Sequence, residues 1–300
     1  MADVIVVKRL TKSYGKQRGV IDLSFSVAPG EVFGYLGPNG AGKTTTIRTL
    51  LDFIRPTEGR AGVFGLDARR DRVEIHGRTG YLPGEFGLYE RLTGREFLAH
   101  FASLRGGVDE RHVGELVGRL DVDPTQRIRA LSHGNKQKLA LIQAFMHRPE
   151  LLVLDEPTTG LDPLIQQEFY AMVDEVHRDG RTVFLSSHVL PEVDRVCDRV
   201  GIIREGRLIA VEDIGDLKAK AVREIVFHFA RAVPPEVFAR LPGVQQASAH
   251  GDVVRLTVAG ALDAVVKAAA RFDIVDLTSH EPTLEDIFLT FYGRGENHAA

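Results

Sequence analysis

The first third of the chain begins with short apolar runs and continues with a segment whose apolar residues recur at helical spacing. Residues 4–7, 22–27 and 31–36 are short runs rich in β-branched, aromatic and other apolar side chains, which predicts three strands. Residues 43–54 instead carry apolar side chains at the i, i+3, i+4 and i+7 spacing of a helix that buries one face. That stripe consists of Ile47, Leu50, Leu51 and Ile54.

The middle of the chain has a helical pattern throughout. Residues 88–147 predict three helices, one from Thr93, one over residues 109–120 and one that begins near Gly134. Because α/β patterns lie on both sides of this segment, we expect an inserted helical subdomain.

The α/β pattern returns after the insertion. Residues 151–154 and 182–185 are short and fully apolar, or nearly so, which predicts strands that are buried on both faces. A helix over residues 163–178 joins them, as a crossover between parallel strands requires.

Beyond residues 213–222, which are charged and rich in alanine, the order of elements changes. It reads strand, helix, strand, strand, helix, strand, with the middle two strands joined around His250. This order predicts a βαββαβ module, and a last helix is predicted from Thr283. We therefore expect two domains, residues 1–220 and 221–300.

Composition and charge narrow the possible partners. The 300 residues are 44% hydrophobic and 26% charged, which is ordinary for a folded globular protein. A formal net charge of −3 gives no global positive field, so we expect no nucleic acid as a partner. The single cysteine, Cys197, excludes an internal disulfide and is expected to be a small buried side chain in a reducing cytosol.

The chain has no run of about 18 apolar residues, and its first residues lack the basic and apolar regions of a signal peptide. If the protein acts at a membrane, we expect another chain to cross it.

Residues 37–44 match the phosphate-binding pattern G-x-x-x-x-G-K-[ST] between a predicted strand and a predicted helix. Glycines let backbone N–H groups surround phosphate oxygens, Lys43 reaches the β- and γ-phosphates, and Thr44 binds Mg²⁺. The predicted fold is therefore α/β, a P-loop NTPase core with an antiparallel β subdomain, the helical insertion and a small C-terminal α+β module. The residues assigned to ATP here are Gly37, Pro38, Asn39, Gly40, Ala41, Gly42, Lys43, Thr44 and Thr45.

Two carboxylates follow the apolar run 151–154. Ligands bind at the carboxyl ends of strands in open α/β sheets, so Asp155 is expected to hold Mg²⁺, through water. Glu156 is expected to act as general base on the attacking water. An acidic strand end is weak evidence alone, but beside a phosphate loop it has a metal to bind.

A third segment distinguishes this chain from other phosphate-loop NTPases. Residues 131–135, Leu-Ser-His-Gly-Asn, resemble the Leu-Ser-Gly-Gly-Gln signature of the ATP-binding cassette (ABC) family. Residues 159–163 are similar to its D-loop, and His188 is similar to its switch histidine. Tyr14 resembles the aromatic residue that stacks on adenine. The resemblance covers residues 1 to about 215.

The resemblance implies a homodimer that encloses two MgATP molecules. Ser132 and the N–H of Gly134 would donate to the γ-phosphate of ATP held by the other copy, with Asp162 nearby in the D-loop. His188 would polarise the γ-phosphate or the attacking water. Structural alternatives are that Asp162 caps the helix that begins at Pro163 and that His188 has no catalytic role.

The chain departs from the family pattern in two places. Gly84 follows Tyr-Leu-Pro where the Q-loop has glutamine, so either Glu85 takes the place of that ligand or the loop acts without it. In the signature, His133 and Asn135 replace glycine and glutamine, while the γ-phosphate donors are kept.

Residues 81–85, the altered signature and residues 284–289 resemble the ATPase subunits of drug and antibiotic exporters. This implies an ATP-hydrolysing subunit, cytoplasmic and peripheral on the inner face of the membrane, with a separate transmembrane permease. One alternative is a soluble ABC ATPase of DNA repair or translation, although coiled-coil insertions or paired cassettes are absent from the sequence. Another is a nucleotide-binding module without turnover, against which Glu156 and His188 argue.

Overall fold

The chain divides into two units in the computed structural model, Met1–Glu212 and Asp213–Ala300. The structure describes residues 2–15, 17–85, 87, 89–220 and 222–280. The predicted boundary at residue 220 lies slightly later, at the end of the helix that opens the second unit.

The first unit contains ten strands and seven helices among its described residues, apart from a short 3-10 turn at Ile128–Ala130. The strands are β1 (Ile5–Tyr14), β2 (Gln17–Val27), β3 (Val32–Leu36), β4 (Glu58–Val63), β5 (Leu66–Asp67), β6 (Thr79–Leu82), β7 (Leu151–Asp155), β8 (Thr182–Ser187), β9 (Arg199–Arg204) and β10 (Arg207–Asp213). The helices are α1 (Lys43–Leu50), α2 (Arg72–Arg78), α3 (Gly94–Leu104), α4 (Glu110–Arg119), α5 (His133–Phe145), α6 (Pro163–Arg178) and α7 (Leu190–Val196).

A six-stranded sheet forms the centre of this unit, in the order β10-β9-β3-β8-β7-β6. Its central pairs β9/β3, β3/β8, β8/β7 and β7/β6 are parallel. Every residue of β3, β7 and β8 is buried, as expected for parallel strands that are covered on both faces. The strands predicted at 31–36, 151–154 and 182–185 are thereby confirmed.

A second, antiparallel sheet has the order β2-β1-β4-β5. Phe25 of β2 stacks on Phe33 and Phe184 of the central sheet, with ring centroids 5.7 and 6.1 Å apart. The two sheets therefore share one apolar core, and the predicted antiparallel β subdomain is confirmed.

The helical insertion consists of α3, α4 and α5. Thr93 caps α3 and exchanges hydrogen bonds with Glu96 in a capping box, and Asp109 caps α4. These caps explain why the starts of both helices could be read from the sequence. By contrast, α1 is shorter than the predicted 43–54, because the chain leaves the helix at Leu51 and Asp52 has a positive φ of 53°.

The second unit begins with α8 (Ile214–Lys220) and continues as a βαββαβ module. Its sheet has the antiparallel order β12-β13-β11-β14. The elements are β11 (Val222–Phe229), α9 (Glu236–Ala239), β12 (Val244–His250), β13 (Val253–Ala259), α10 (Asp263–Ala269) and β14 (Ile274–His280). The predicted order of elements is confirmed, whereas the helix predicted from Thr283 lies outside the described residues.

In the part of the chain that the structure describes, no helix combines the length and the apolar character needed to span a bilayer.

Candidate active site

The site is built at the carboxyl edge of the central sheet. Strands β3, β8 and β7 are neighbours and run parallel, so their carboxyl ends at Leu36, Ser187 and Asp155 lie side by side. This edge is where open α/β sheets bind their ligands.

The loop after β3 has a shape that only glycine permits at two positions. A Cβ at Gly37 would lie 2.3 Å from the carbonyl oxygen of Ile203, and Gly42 has a φ of 111° as it precedes α1. The chain thus passes closely over β9 and enters α1 with the helix's first N–H groups at the loop. This arrangement provides the donors that bind phosphate in such loops.

Lys43 is buried at the start of α1, with 5% of its surface exposed. Its Nζ donates to the carbonyl oxygens of Gly37, at 2.6 Å, and Pro38, at 3.2 Å. Nζ also lies 3.0 Å from Oε1 of Glu156. A buried ammonium is costly unless it is paired, so the loop and the carboxylate together keep this charge at the sheet edge.

Thr44 and Asp155 are brought into contact by the neighbouring ends of α1 and β7. The hydroxyl of Thr44 donates to Oδ2 of Asp155 at 2.8 Å, and Ser186 donates to Oδ1. A hydroxyl and a fully buried carboxylate at one point are hard oxygen donors of the kind that Mg²⁺ prefers. The residues present therefore fit a magnesium ion beside the phosphate loop.

Glu156 and His188 form a pair next to that carboxylate. Nδ1 of His188 lies 2.6 Å from Oε2 of Glu156, whose other oxygen faces Lys43. Glu156 has a positive φ of 52°, which costs roughly 1–3 kcal/mol for a residue with a side chain. Its N–H donates to the carbonyl of Ser186, which holds it in that conformation. The strained backbone turns the Glu156 carboxylate toward the loop.

The signature-like segment forms a second cluster. Ser132 is exposed and caps α5, its hydroxyl accepting from the N–H of Asn135 at 3.3 Å. A Cβ at Gly134 would lie 2.6 Å from the carbonyl oxygen of Gly160, so the helix start packs directly on the segment of residues 159–163. The N-terminus of α5 therefore presents Ser132 toward solvent.

Two further contacts hold the chain around this cluster, one to the residues after β7 and one at the start of α6. The side chain of Gln137, buried on α5, donates to the carbonyl of Pro157 at 2.8 Å. Asp162 caps α6 by accepting from the N–H groups of Leu164 and Ile165, the structural role expected for it. The signature-like segment and the chain after Glu156 therefore form one connected structure.

Tyr14 ends β1 and is 44% exposed. Its ring lies next to Gly19 of β2, since a Cβ there would be 3.4 Å from Tyr14 Cδ2. The next residue, Val20, lies against Gly42 in the phosphate loop. An exposed aromatic ring is thereby placed next to β2, the strand that borders the loop.

Gly84 lies beside Asp155 at the end of β6. A Cβ at Gly84 would be 3.2 Å from Oδ2 of Asp155, while the neighbouring Glu85 is exposed. Burial raises the pKa of Tyr81 to about 12, with the charge of Asp155 acting in the same direction. The Q-loop position therefore adjoins the proposed metal ligand, although its residue has no side chain.

Three polar residues of this region were missed in the sequence. Ser186, Ser187 and Glu192 are all buried, with at most 1% of their surface exposed. The two serines stand at the end of an apolar strand, which is a weak signal for a site. Nothing in the local pattern marks Glu192, because its burial depends on the packing of α7 against β3, β8 and α6.

Comparisons with known proteins match this chain to one family. A model of the ABC transporter family matches residues 20–159. The bacitracin transport ATP-binding protein BcrA of Bacillus licheniformis is 35% identical over 98% of this chain and 99% of its own length. The linearmycin resistance ATP-binding protein LnrL of Bacillus subtilis (strain 168) is 30% identical over 97% of this chain and 99% of its own length.

Solved structures resemble the first part of the chain. An ATP-binding subunit of an ABC transporter has a TM-score of 0.67 and 30% identity, over 72% of this chain and 92% of that one. A dimeric ATP-binding cassette with bound ADP and phosphate has a TM-score of 0.65 over 70% of this chain and 98% of that one. Its identity of 20% shows the fold alone.

Proposed function

Since this chain belongs to the family of ABC transporter ATP-binding proteins, we propose that it hydrolyses MgATP in sites shared by two copies and drives an exporter. The observation that carries the ATPase proposal is the set of contacts at the sheet edge, where Lys43, Glu156 and His188 adjoin the Thr44–Asp155 pair.

ATP is bound by the loop after β3. The backbone N–H groups of residues 39–45 surround the phosphates, and Lys43 donates to the β- and γ-phosphates in place of its contact with Glu156. Tyr14 stacks on the adenine, with a contribution of roughly 1–3 kcal/mol by analogy with base stacking elsewhere.

Thr44 and Asp155 are the residues that would hold Mg²⁺ beside the bound phosphates. Their hydrogen bond already places two hard oxygen donors together, which supports this assignment. When bound there, the ion would supply charge neutralisation for the phosphate oxygens. Ser186 keeps the Asp155 carboxylate oriented by donating to its other oxygen.

The reaction is hydrolysis of the terminal phosphoanhydride. The oxygen of water bonds to the γ-phosphorus, the bond from that phosphorus to the bridging oxygen of ADP breaks, and ADP takes the electron pair. Glu156 accepts the proton of the attacking water. His188, which shares a hydrogen bond with Glu156, keeps the carboxylate oriented and donates toward the γ-phosphate.

The second half of each site comes from the other copy. Ser132 and Gly134 lie at the solvent-facing N-terminus of α5, a 13-residue helix, and this positive end suits the γ-phosphate of ATP bound elsewhere. Asp162 lies beside this segment in the D-loop, where it caps α6. A homodimer that encloses two nucleotides follows from this arrangement.

The transport role rests on the relatives. Those named for bacitracin transport and linearmycin resistance align with nearly the whole chain, including its second unit. This supports an exporter for an antibiotic-like compound, with a separate transmembrane permease and attachment to the inner face of the membrane. It does not favour the soluble, non-transport alternative.

Phosphate release from MgATP by the purified full chain tests the ATPase proposal. Lys43→Ala is expected to weaken ATP binding by about 10- to 150-fold, the equivalent of 1.5–3 kcal/mol for a charged hydrogen bond. Lys267→Ala is the control, because this lysine is exposed and pairs with Asp263 in the second unit. Equal ATP affinity in the two variants would contradict the assignment of the loop.

Fractionation of cells that express the tagged chain tests the exporter proposal. We expect the chain to co-elute with one polytopic membrane protein in fixed stoichiometry, and that protein should change its ATPase rate. A chain that stays in the soluble fraction and hydrolyses ATP at full rate alone would favour the soluble alternative.

A further inference from the structure

A buried carboxyl group lies behind the proposed catalytic pair. Glu192 is the third residue of α7 and has 1% of its surface exposed. Its Oε2 accepts a hydrogen bond of 2.5 Å from the hydroxyl of Ser187, the last residue of β8. Carboxyl groups are rarely buried to this extent unless they have partners, so the contact with Ser187 needs an explanation.

The hydroxyl of Ser187 connects Glu192 to both sides of His188. While it donates to Glu192, it accepts from the N–H of Val189 at 2.9 Å. His188 therefore lies between two residues whose positions depend on one hydroxyl group. Glu192 in turn fixes the orientation of the Ser187 hydroxyl, because the Glu192 carboxyl accepts the hydrogen bond that this hydroxyl donates.

Glu192 also faces the segment that carries Glu156. The buried hydroxyl of Thr158, two residues after Glu156, lies beside the Glu192 carboxyl and acts to lower its pKa. Thr158 is itself buried and belongs to the connection between β7 and α6. One carboxyl group thus contacts the chain on both sides of the Glu156–His188 hydrogen bond.

We propose that Glu192 is a positioning residue that ties the loop of His188 to the segment of Glu156 and so sets the geometry of their hydrogen bond. The inference rests on the proposed function, since it assigns a role within that site. Glu192 touches neither nucleotide nor water in this role. It acts through Ser187 and Thr158.

Three titratable groups interact with Glu192 from the elements around it. They are Glu156 after β7, Tyr170 on α6 and Cys197 after α7. Burial raises the pKa of Tyr170 and of Cys197, so both are neutral near pH 7. Burial also raises the pKa of Glu192 to about 7, together with the charge of Glu156 and against the hydrogen bond from Ser187 and the nearby Thr158 hydroxyl.

The raised pKa means that a substantial share of Glu192 is neutral near pH 7. A neutral carboxyl accepts from Ser187 without repelling the Glu156 carboxylate. Glutamine has the same shape and also accepts a hydrogen bond, but it has no charge at any pH. Glu192→Gln should therefore keep the position of His188, whereas Glu192→Ala should lose it.

Steady-state ATPase kinetics of the full chain test the proposal. Glu192→Ala is expected to lower kcat by roughly 10- to 100-fold, because small misplacements of a catalytic group have effects of this size. The KM for ATP should change by less than about threefold, since Glu192 does not contact the phosphate loop. Glu192→Gln should keep kcat within about threefold of wild type. The kcat of Glu192→Gln, divided by that of wild type, should rise between pH 6 and pH 8, because Glu192 becomes charged over this range and glutamine does not.

Ser187→Ala gives a second variant, which removes the hydroxyl with little change in volume. It should lower kcat about as much as Glu192→Ala, and the double variant should lose no more than either, because both changes break one connection. If Glu192→Ala does not fold, Ser187→Ala and Glu192→Gln carry the test alone. Glu110→Gln is the control, since it removes an exposed carboxylate from the first turn of α4.

Three results would overturn the inference. They are an unchanged kcat in Glu192→Ala and Ser187→Ala, an equal loss in Glu192→Gln and Glu192→Ala, or additive losses in the double variant. A wild-type chain that does not hydrolyse MgATP would instead contradict the proposed function. If wild type hydrolyses ATP, Glu156→Gln is inactive and Glu192→Ala is normal, only the role of Glu192 fails.

Discussion

The two units of this chain differ in what they bury. The first unit encloses polar and charged side chains at its sheet edge, among them Lys43, Gln137, Asp155, Ser187 and Glu192. In the described residues of the second unit, the buried side chains are all apolar. An unpaired buried polar group costs about 1–3 kcal/mol, so such groups persist where partners are arranged for them.

The core of the second unit is instead built from stacked aromatic rings. Phe238 of α9 stacks on Phe227 and Phe229 of β11, with ring centroids 6.0 and 6.1 Å apart. These contacts stabilise the unit without placing a reactive group anywhere inside it. We propose that the chemistry belongs to the first unit and that the second unit serves packing or assembly.

The largest effect is expected at the site itself. Glu156→Gln should reduce hydrolysis by about 10²–10⁴, since it removes the general base. Ser132→Ala should reduce it by about 10²–10³, the usual loss for one donor to a developing oxyanion. If each site joins the Glu156 of one copy to the Ser132 of the other, mixing the two variants restores one intact site per heterodimer.

Mixed before ATP is added, the variants should reach up to about a quarter of the wild-type rate, because half of the dimers are then heterodimers with one intact site of two. Wild type taken through the same mixing gives the reference rate. A rate no higher than the sum of the two variants would mean that one first unit contains its whole site, or that both sites must act together.

Some features of the chain could be predicted from the sequence and others could not. The phosphate loop and the capped helices α3 and α4 were predicted closely, because residues that are close together in the sequence determine them. Asp155 and Glu156 were recognised because an apolar strand ends there. Glu192 and the Gln137 contact were not predicted, because they arise where separate elements pack. The end of α1 was missed because a left-handed residue, Asp52, interrupts a continuing apolar pattern.

The second-largest expected effect is a loss of stability in the core of the second unit that leaves nucleotide binding unchanged. Phe238→Ala should destabilise the second unit by about 3–5 kcal/mol, as large-to-small changes at fully buried aromatic residues do. Nucleotide affinity should stay within about twofold, because the second unit contains no residue of the proposed site. Calorimetry of the full chain, with and without MgATP, measures both quantities.

Phe184→Ala is the matched variant in the first unit. Phe184 is fully buried in β8 and stacks on Phe33 of β3, so both strands lead into the site. It should lower stability by a similar amount and weaken ATP binding as well. If Phe238→Ala weakened ATP binding equally, the division between a chemical unit and a packing unit would be wrong.

The smallest effect concerns the Q-loop. Gly84→Gln should lower the Mg²⁺ concentration needed for half-maximal hydrolysis by about 2- to 10-fold, the equivalent of 0.5–1.5 kcal/mol for one added polar contact. The physical reason is the position of Gly84, whose Cβ would lie 3.2 Å from Oδ2 of Asp155. A glutamine amide placed there adds a ligand beside the proposed metal residue.

Gly84→Ala separates the amide from the added bulk, since it places the same Cβ beside Asp155 without a ligand. The Cβ contact is tight, so this variant should leave the Mg²⁺ requirement unchanged or raise it. An equal change in both variants would show that crowding of Asp155, rather than an added ligand, governs the response. An unchanged requirement in both would favour Glu85 or water as the group that serves this position, and the missing glutamine would then have no consequence for the metal.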